Sequence, residues 1–249
     1  MDATLFWIIG AGLAGGAVSL LLAAAVTYSL LSAWVPRMVS YSVGVLLGVA
    51  FLSLLPEAFE KAADAETLFG VVLAGILAFF LLEKLALWRH GHGHDDHGAR
   101  TPSGMLILVG DAFHNFVDGV LIAAAFLTDF RLGITTTLAI MAHEIPQELG
   151  DFMVLLKAGY GRRRALMLNL AASLTSVAGG IVGYLTLEGA QAMVQYALLL
   201  AAACFIYIAV ADLIPDLHRQ NSTREIGWQL GLMTVGIATI ATAESLLQY

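Results

Sequence analysis

Read along its length, the chain alternates long apolar runs with short polar punctuation. Eight runs reach the roughly 20 residues that a helix needs to cross a bilayer. They lie at about 4–31, 38–60, 67–89, 103–128, 132–158, 163–187, 191–217 and 226–247. Breaks are expected at Pro36, at Glu57–Glu66, over 90–102, at Asp129–Arg131, at Gly159–Arg164, at Glu188–Gly189 and at His218–Glu225. The first run is too long for the core of a signal peptide, has an acidic N-terminal flank and lacks a clear cleavage site, so it reads as a retained helix. The pattern predicts an all-α membrane protein with eight transmembrane helices, residues 1–249 forming a single transmembrane domain.

Composition agrees with that reading. Hydrophobic residues make up 59% of the chain, charged residues only 12%, and the mean hydropathy is +0.83, against about 25% charged in soluble domains. The formal net charge of -7 gives no sign of a nucleic-acid partner. The expected surroundings are the lipid bilayer, as a multi-pass protein of the cell (inner, cytoplasmic) membrane. A homodimer is compatible with the sequence, which does not fix the oligomeric state. The single cysteine, Cys204, excludes an internal disulfide and a thiolate cluster. It lies in an apolar run and reads as helix packing.

Charge sets the orientation. Ten of the twelve Lys and Arg residues fall on one side of the predicted topology: Arg37, Lys84, Arg89, Arg100, Lys157, Arg162, Arg163, Arg164, Arg219 and Arg224. Lys61 and Arg131 lie on the other. The basic side should be cytoplasmic, which puts both termini outside. Small residues recur four apart, at Gly12 and Gly16, Gly44 and Gly48, Gly179 and Gly183, and Gly227 and Gly231, and are expected to bring helix backbones close together. Leu55-Pro56-Glu57 ends the second segment and Ile214-Pro215-Asp216 ends the seventh. A similar motif at opposite faces is what an inverted repeat leaves. Segments 1–3 would then match segments 6–8, with 4 and 5 between them.

The fourth and fifth segments depart from the apolar pattern. Residues 111–119 (Asp-Ala-Phe-His-Asn-Phe-Val-Asp-Gly) and 143–151 (His-Glu-Ile-Pro-Gln-Glu-Leu-Gly-Asp) carry His114, Asn115, Asp118, His143, Glu144, Gln147 and Glu148. An ionisable residue at membrane depth costs roughly 2.5–3.5 kcal/mol, so it is rare and usually functional. Helical periodicity puts His114 with Asp118, His143 with Gln147, and Glu144 with Glu148, each pair one turn apart on one face. With Asp111 and Asp151 the two segments hold five carboxylates, and neither contains a Lys or Arg to neutralise them between 103–128 or 132–156. Buried carboxylates then require protons or a cation. Imidazole nitrogen with carboxylate oxygen and no thiolate suits Zn²⁺, Fe²⁺, Mn²⁺, Cd²⁺ or Co²⁺. Pro146 should kink the fifth segment and free the carbonyl of Ala142, an opening that could hold an ion or serve packing alone. On the sixth segment Asn169, Ser173 and Ser176 are expected to hydrogen-bond a neighbouring helix.

Two loops have chemistry of their own. His90-Gly-His-Gly-His-Asp-Asp-His97, in the loop at about 90–102, is of a composition that binds metals loosely or serves as a solvated linker. Glu57, Glu60, Asp64 and Glu66 form an acidic patch on the outer side, able to raise the local cation concentration or simply solvated.

His-Asn-x-x-Asp-Gly on the fourth of eight segments and His-Glu-x-Pro-x-Glu on the fifth resemble the ZIP family of zinc and iron transporters. The chain looks like a bacterial-type member, its fifth-segment run resembling the branch with a His-Glu-x-Pro-His-Glu signature. The likeness extends to the helix count, the outside termini, the His-rich cytoplasmic loop and the Leu-Pro-Glu-Ala closing the second segment. It implies a transporter domain in a 3+2+3 helix arrangement and a two-metal centre midway across the membrane. By position His114, Asp118, His143 and Gln147 resemble its transport site, and Asn115 and Glu144 its second site, with Asp118 shared. Two departures stand out: Val117 replaces a common proline, and Gln147 stands where Glu or His is usual, with Glu148 placed to compensate. The implied activity is transport of divalent metal, zinc foremost, into the cytoplasm. Iron, manganese or cadmium as the main substrate is the nearest alternative, and no ATP-binding signature is present in the 249 residues. An intramembrane zinc hydrolase, the rival of a different class, would need His-Glu-x-x-His, and the residue at its second histidine is Gln147.

Overall fold

The computed structural model describes residues 3–25, 28–60, 64–90, 102–218 and 222–247. They form α1 (Ala3–Ala25), α2 (Tyr28–Val49), α3 (Leu55–Glu60), α4 (Ala65–His90), α5 (Pro102–Thr128), α6 (Phe130–Lys157), α7 (Arg162–Ser173), α8 (Thr175–Leu187), α9 (Gln191–Tyr207), α10 (Ile214–Leu217) and α11 (Thr223–Leu247). Wider π-helical turns at Ala50–Leu54 and Ile208–Leu213 join α2 to α3 and α9 to α10. Leu174 alone separates α7 from α8. Among the described residues these helices stack into eight rods and no strand.

The bundle carries apolar side chains on its outside as well as in its core, and buries a polar group among them. Leu73, Leu77, Leu185, Leu230 and Leu246 are each more than half exposed, while Asp111, Asn115, Asp118, His143, Glu144 and Glu148 are buried. Trp34–Glu60, Leu108–Thr128, Arg162–Leu187, Met193–Leu213 and Thr223–Leu246 are long and apolar enough to span a membrane, with Ala3–Val18 and Ala65–Leu81 as shorter apolar helices. The helix α6 is less apolar than these because His143, Glu144, Gln147 and Glu148 interrupt its middle.

The structure corrects two expectations. Pro36 does not break the helix: it lies inside α2, which runs on from Tyr28 to Val49. A proline removes one N–H and crowds one carbonyl, which a packed membrane helix tolerates. Arg37 is therefore in α2, its guanidinium 5.5 Å from the Trp34 ring centre. The second correction concerns Gly227 and Gly231, where an added Cβ would meet open space. The helix α11 packs on α2 through Gly236, Met233 and Ile240. Gly227 lies nine residues, two and a half turns, before Gly236 and so faces away.

The other glycine pairs do bring helices together. A Cβ at Gly44 would collide with the Met233 carbonyl, one at Gly119 with the Ser176 carbonyl, and one at Gly179 with the Phe116 carbonyl. Cys204 is a free cysteine buried in the core. Both π segments end two residues before a proline, Pro56 or Pro215, and a wider turn there accommodates the missing N–H and the ring. Asp129 is the whole link between α5 and α6: its carboxylate accepts from the Arg131 and Leu132 amides at 2.8 and 3.3 Å, capping α6. Asp64 similarly accepts from the Glu66 and Thr67 amides and the Thr67 hydroxyl. The Thr67 hydroxyl foremost, then the two amides, holds its carboxyl below the usual range. The His-rich loop beyond His90, Lys61 and Arg219 lie outside the described residues.

Candidate metal centre

The hairpin of α5 and α6 is antiparallel, so its polar faces meet at mid-length. There His114 and Asp118 face His143 and Glu144. His114 Nε2 lies 3.2 Å from His143 Nε2, 3.6 Å from Asp118 Oδ2 and 3.5 Å from Glu144 Oε1. His143 Nε2 lies 3.1 Å from Asp118 Oδ2 and 3.8 Å from Glu144 Oε1. The four ligand atoms all fall within 4.8 Å of one another. Asp118 is 0% exposed and His143 1%, while the His114 side chain is 23% exposed and forms the accessible edge.

The nitrogen and oxygen atoms of these groups crowd together. His143 Nδ1 is 3.1 Å from the Ala139 carbonyl, which only accepts, so the ring proton sits on Nδ1 and Nε2 presents a lone pair. No donor among the described residues reaches either oxygen of Asp118 or Glu144 Oε1. Buried acceptors without donors are costly, and a cation relieves all of them together. The edges fit such an ion: four N and O ligands at about 2.0–2.1 Å around tetrahedral zinc stand about 3.3 Å apart, and the five separations above run from 3.1 to 3.8 Å.

The remaining predicted residues take other places. Asn115 Nδ2 donates to the Asp111 carbonyl at 3.2 Å and to Asp111 Oδ1 at 3.1 Å. Gln147 Nε2 donates to the same Oδ1 at 3.3 Å. Gln147 is thus turned toward Asp111, one turn away from the two histidines. Glu148 joins Asp111 and Glu144 in a second carboxylate group, accepts from the Ser173 hydroxyl, and receives the Asn169 amide on its backbone carbonyl at 2.9 Å. Asn169 and Ser173 of α7 therefore serve α6, as interhelical hydrogen bonding predicts. Ser176 packs against Gly12, whose added Cβ would lie 3.1 Å from its hydroxyl. A narrow crevice of about 10 Å³ runs from Gly12, Gly15 and Gly16 of α1 to Asn115 and Glu144.

Pro146 frees the Ala142 carbonyl, and the Ser42 hydroxyl of α2 donates to it. The opening serves helix packing, with Ser42 in the place considered for an ion. A second polar group, unmarked by any local pattern in the sequence, lies at the end of the bundle where α5 turns into α6. Arg131 Nε lies 3.2 Å from Glu244 Oε2 of α11, and Ser53 donates to Glu244 Oε1 at 2.6 Å. With Glu57 and Glu60 these residues line a cavity of about 220 Å³. Two members of the acidic patch, Glu57 and Glu60, therefore border a cavity, whereas Asp64 caps a helix.

Comparison with known proteins agrees with this chemistry. A family model described as ZIP zinc transporter matches residues 89–244. The chain is 34% identical to zinc transporter ZIP13 of Pongo abelii over 84% of its own length and 66% of that protein's. It is 30% identical to human ZIP13, covering 84% of this chain and 70% of the relative, and 41% identical to human ZIP4, covering 78% and 40%. The chain thus spans about two thirds of the first of these relatives and less than half of ZIP4. With the matched model covering more than half of its residues, the chain belongs to the ZIP zinc transporter family.

Proposed function

We propose that this chain carries divalent metal, zinc foremost, across the cell (inner, cytoplasmic) membrane into the cytoplasm, through the position between α5 and α6. The observation that carries the reading is the close set of four ligand atoms from His114, Asp118, His143 and Glu144, its measured separations 3.1–3.8 Å, near those around tetrahedral zinc. Relatives named zinc transporters support zinc as the cargo. The ligand types also suit Cd²⁺, Fe²⁺ and Mn²⁺. Uptake competition in cells expressing the chain tests the ranking. Unlabelled Zn²⁺ and Cd²⁺ should suppress labelled zinc uptake more strongly than Mn²⁺ at equal concentration. Equal suppression by Mn²⁺ would contradict an imidazole-bearing site.

The helices are proposed to form a 3+2+3 arrangement with an inverted repeat. Exchange α1 with the α7–α8 rod, α2 with α9, α4 with α11, and α5 with α6. The packing of α1 on α6 then maps onto that of α8 on α5, α2 on α11 onto α9 on α4, and α2 on α6 onto α9 on α5. The two π segments before Pro56 and Pro215 also exchange. Both termini lie outside in this arrangement, from the asymmetry of Lys and Arg. Transport proceeds by alternating access, one helix group rocking against the other around a central site.

Transport through such a site depends on pH. Ligation requires neutral imidazole and ionised carboxylate, so protons compete with the ion. Zinc uptake at sub-saturating metal is expected to fall several-fold from pH 7 to about pH 5, and to recover when zinc is raised. Uptake that rises on acidification across that range would contradict ligation by His114 and His143.

A further inference from the structure

One turn inward from the histidines lies a cluster with a different donor set. Asp111 of α5, Glu144 and Glu148 of α6 each offer a carboxylate oxygen within 4.8 Å of the others, and all three are buried. Ligand atoms across a divalent ion bound by oxygen at about 2.1–2.4 Å are separated by up to about 4.8 Å. The cluster is not a set of satisfied carboxylates. Asp111 is 4% exposed, its Oδ1 takes both the Asn115 and Gln147 amides, and its Oδ2 has no hydrogen-bond partner among the described residues. Glu144 Oε1 likewise has none. Glu148 is fixed from behind by the Ser173 hydroxyl and, through its carbonyl, by Asn169.

We propose that Asp111, Glu144 and Glu148 form an oxygen-only divalent-cation position that receives the ion from the imidazole-bearing one. It rests on the proposed transport reading for its occupant, and it differs from the second site implied by family resemblance, which uses Asn115, Glu144 and Asp118. Asn115 and Gln147 act here as positioning residues. Their amide N–H groups hold one oxygen of Asp111 and leave the other for the ion. A neutral amide at position 147 is suited to this, because a carboxylate there would repel Asp111 instead of donating to it.

The sharing of Glu144 supplies a route. An ion held by His114, His143, Asp118 and Glu144 can exchange the two imidazoles and Asp118 for Asp111 and Glu148 while Glu144 remains bound. Asp111 precedes Asp118 by seven residues, about 10 Å along α5, and Glu148 follows Glu144 by four, about 6 Å along antiparallel α6. Both displacements run toward the open end of the hairpin, where α5 begins and α6 ends and α7 follows with Arg162, Arg163 and Arg164, the cytoplasmic end in the proposed orientation. Oxygen ligands hold manganese, magnesium and calcium readily and zinc less tightly than imidazole does, so the second position favours release.

The test uses the full chain purified in lipid nanodiscs, with zinc and manganese as probes. One equivalent of Zn²⁺ fills the imidazole-bearing position, and Mn²⁺ is then titrated and followed by electron paramagnetic resonance. Bound Mn²⁺ should persist and show no histidine nitrogen modulation in its spin-echo spectrum. Asp111→Asn with Glu148→Gln, which keeps side-chain shape, should weaken that manganese at least tenfold and leave the zinc equivalent in place. Manganese fully displaced by the single zinc equivalent, manganese carrying histidine couplings, or manganese unaffected by the paired amides would each overturn the proposal. The wild-type spectrum decides even if the double variant does not fold. Zinc binding indifferent to His143→Ala overturns the transport site instead, and the manganese spectrum still reads the oxygen-only position.

Discussion

Asp118→Ala is expected to lower zinc uptake more than about 100-fold, to the level of cells lacking the protein. Loss of a residue that merely orients a ligand costs 10–100-fold, and Asp118 stands nearer the centre than that. Its Oδ2 is 3.1 Å from one imidazole and 3.6 Å from the other, and among the described residues no other carboxylate is that close to His143 Nε2: Glu144 Oε1 stands at 3.8 Å. Asp118→Asn separates ligation from packing. The amide preserves volume at a site that is 0% exposed, but it removes the charge that balances the cation. Both variants should elute from size-exclusion chromatography as the wild type does and neither should transport. Uptake retained in Asp118→Asn would mean that shape, not charge, is what position 118 supplies.

The second large effect is structural. Gly119→Val and Gly179→Val are each expected to cost about 3 kcal/mol, the upper range of overpacking, and to leave little folded protein. At both positions the obstacle is backbone: the Ser176 carbonyl and the Gly180 amide for Gly119, the Phe116 carbonyl for Gly179. A side chain could rotate away, whereas two helix backbones must separate. The seam that would open is the one between α5 and α8, immediately beside Asp118. Gly227→Val and Gly231→Val are the comparison, because both positions face open space and exposed substitutions usually stay within about 0.5 kcal/mol. Thermal unfolding in detergent should rank the four variants in two groups. A wild-type transition for Gly119→Val would contradict the close approach of α5 and α8.

These cases show what the sequence makes legible. Spacing alone put His114 with Asp118 and Glu144 with Glu148, because a helix repeats every 3.6 residues and the residues concerned lie within five of one another. Bilayer length alone gave eight segments. What remained hidden depends on contacts between distant parts of the chain. Ser42 satisfies the carbonyl that Pro146 frees, 100 residues away, and Glu244 meets Arg131 and Ser53 from the far end of the chain. Nothing in the local pattern of either segment marks such a pair. The partnership of Gln147 with Asp111 was hidden in the same way. Asp111 does share a helical face with Asn115 and Asp118, and that signal was available in the spacing of 111, 115 and 118. The misplaced break at Pro36 has a different origin: proline is a strong punctuation mark in water-soluble chains and a weaker one inside a membrane bundle. Small-residue spacing also overstated contact, since Gly227 and Gly231 have the right interval on the wrong face of α11.

The carboxylates of α5 and α6 explain why the fold tolerates charge at its centre. Arg131, in the first turn of α6, pairs with Glu244 and Asp129, not with the buried cluster. Among the described residues no Lys or Arg is paired with that cluster, which is the arrangement the proposed cation site requires. The central claim is tested most directly by purified protein in liposomes that enclose a zinc-sensitive dye. Zinc added outside should enter at a rate that saturates with concentration, and Asp118→Ala liposomes should match protein-free ones. Equal zinc entry into wild-type and Asp118→Ala liposomes, or none into either, would contradict it.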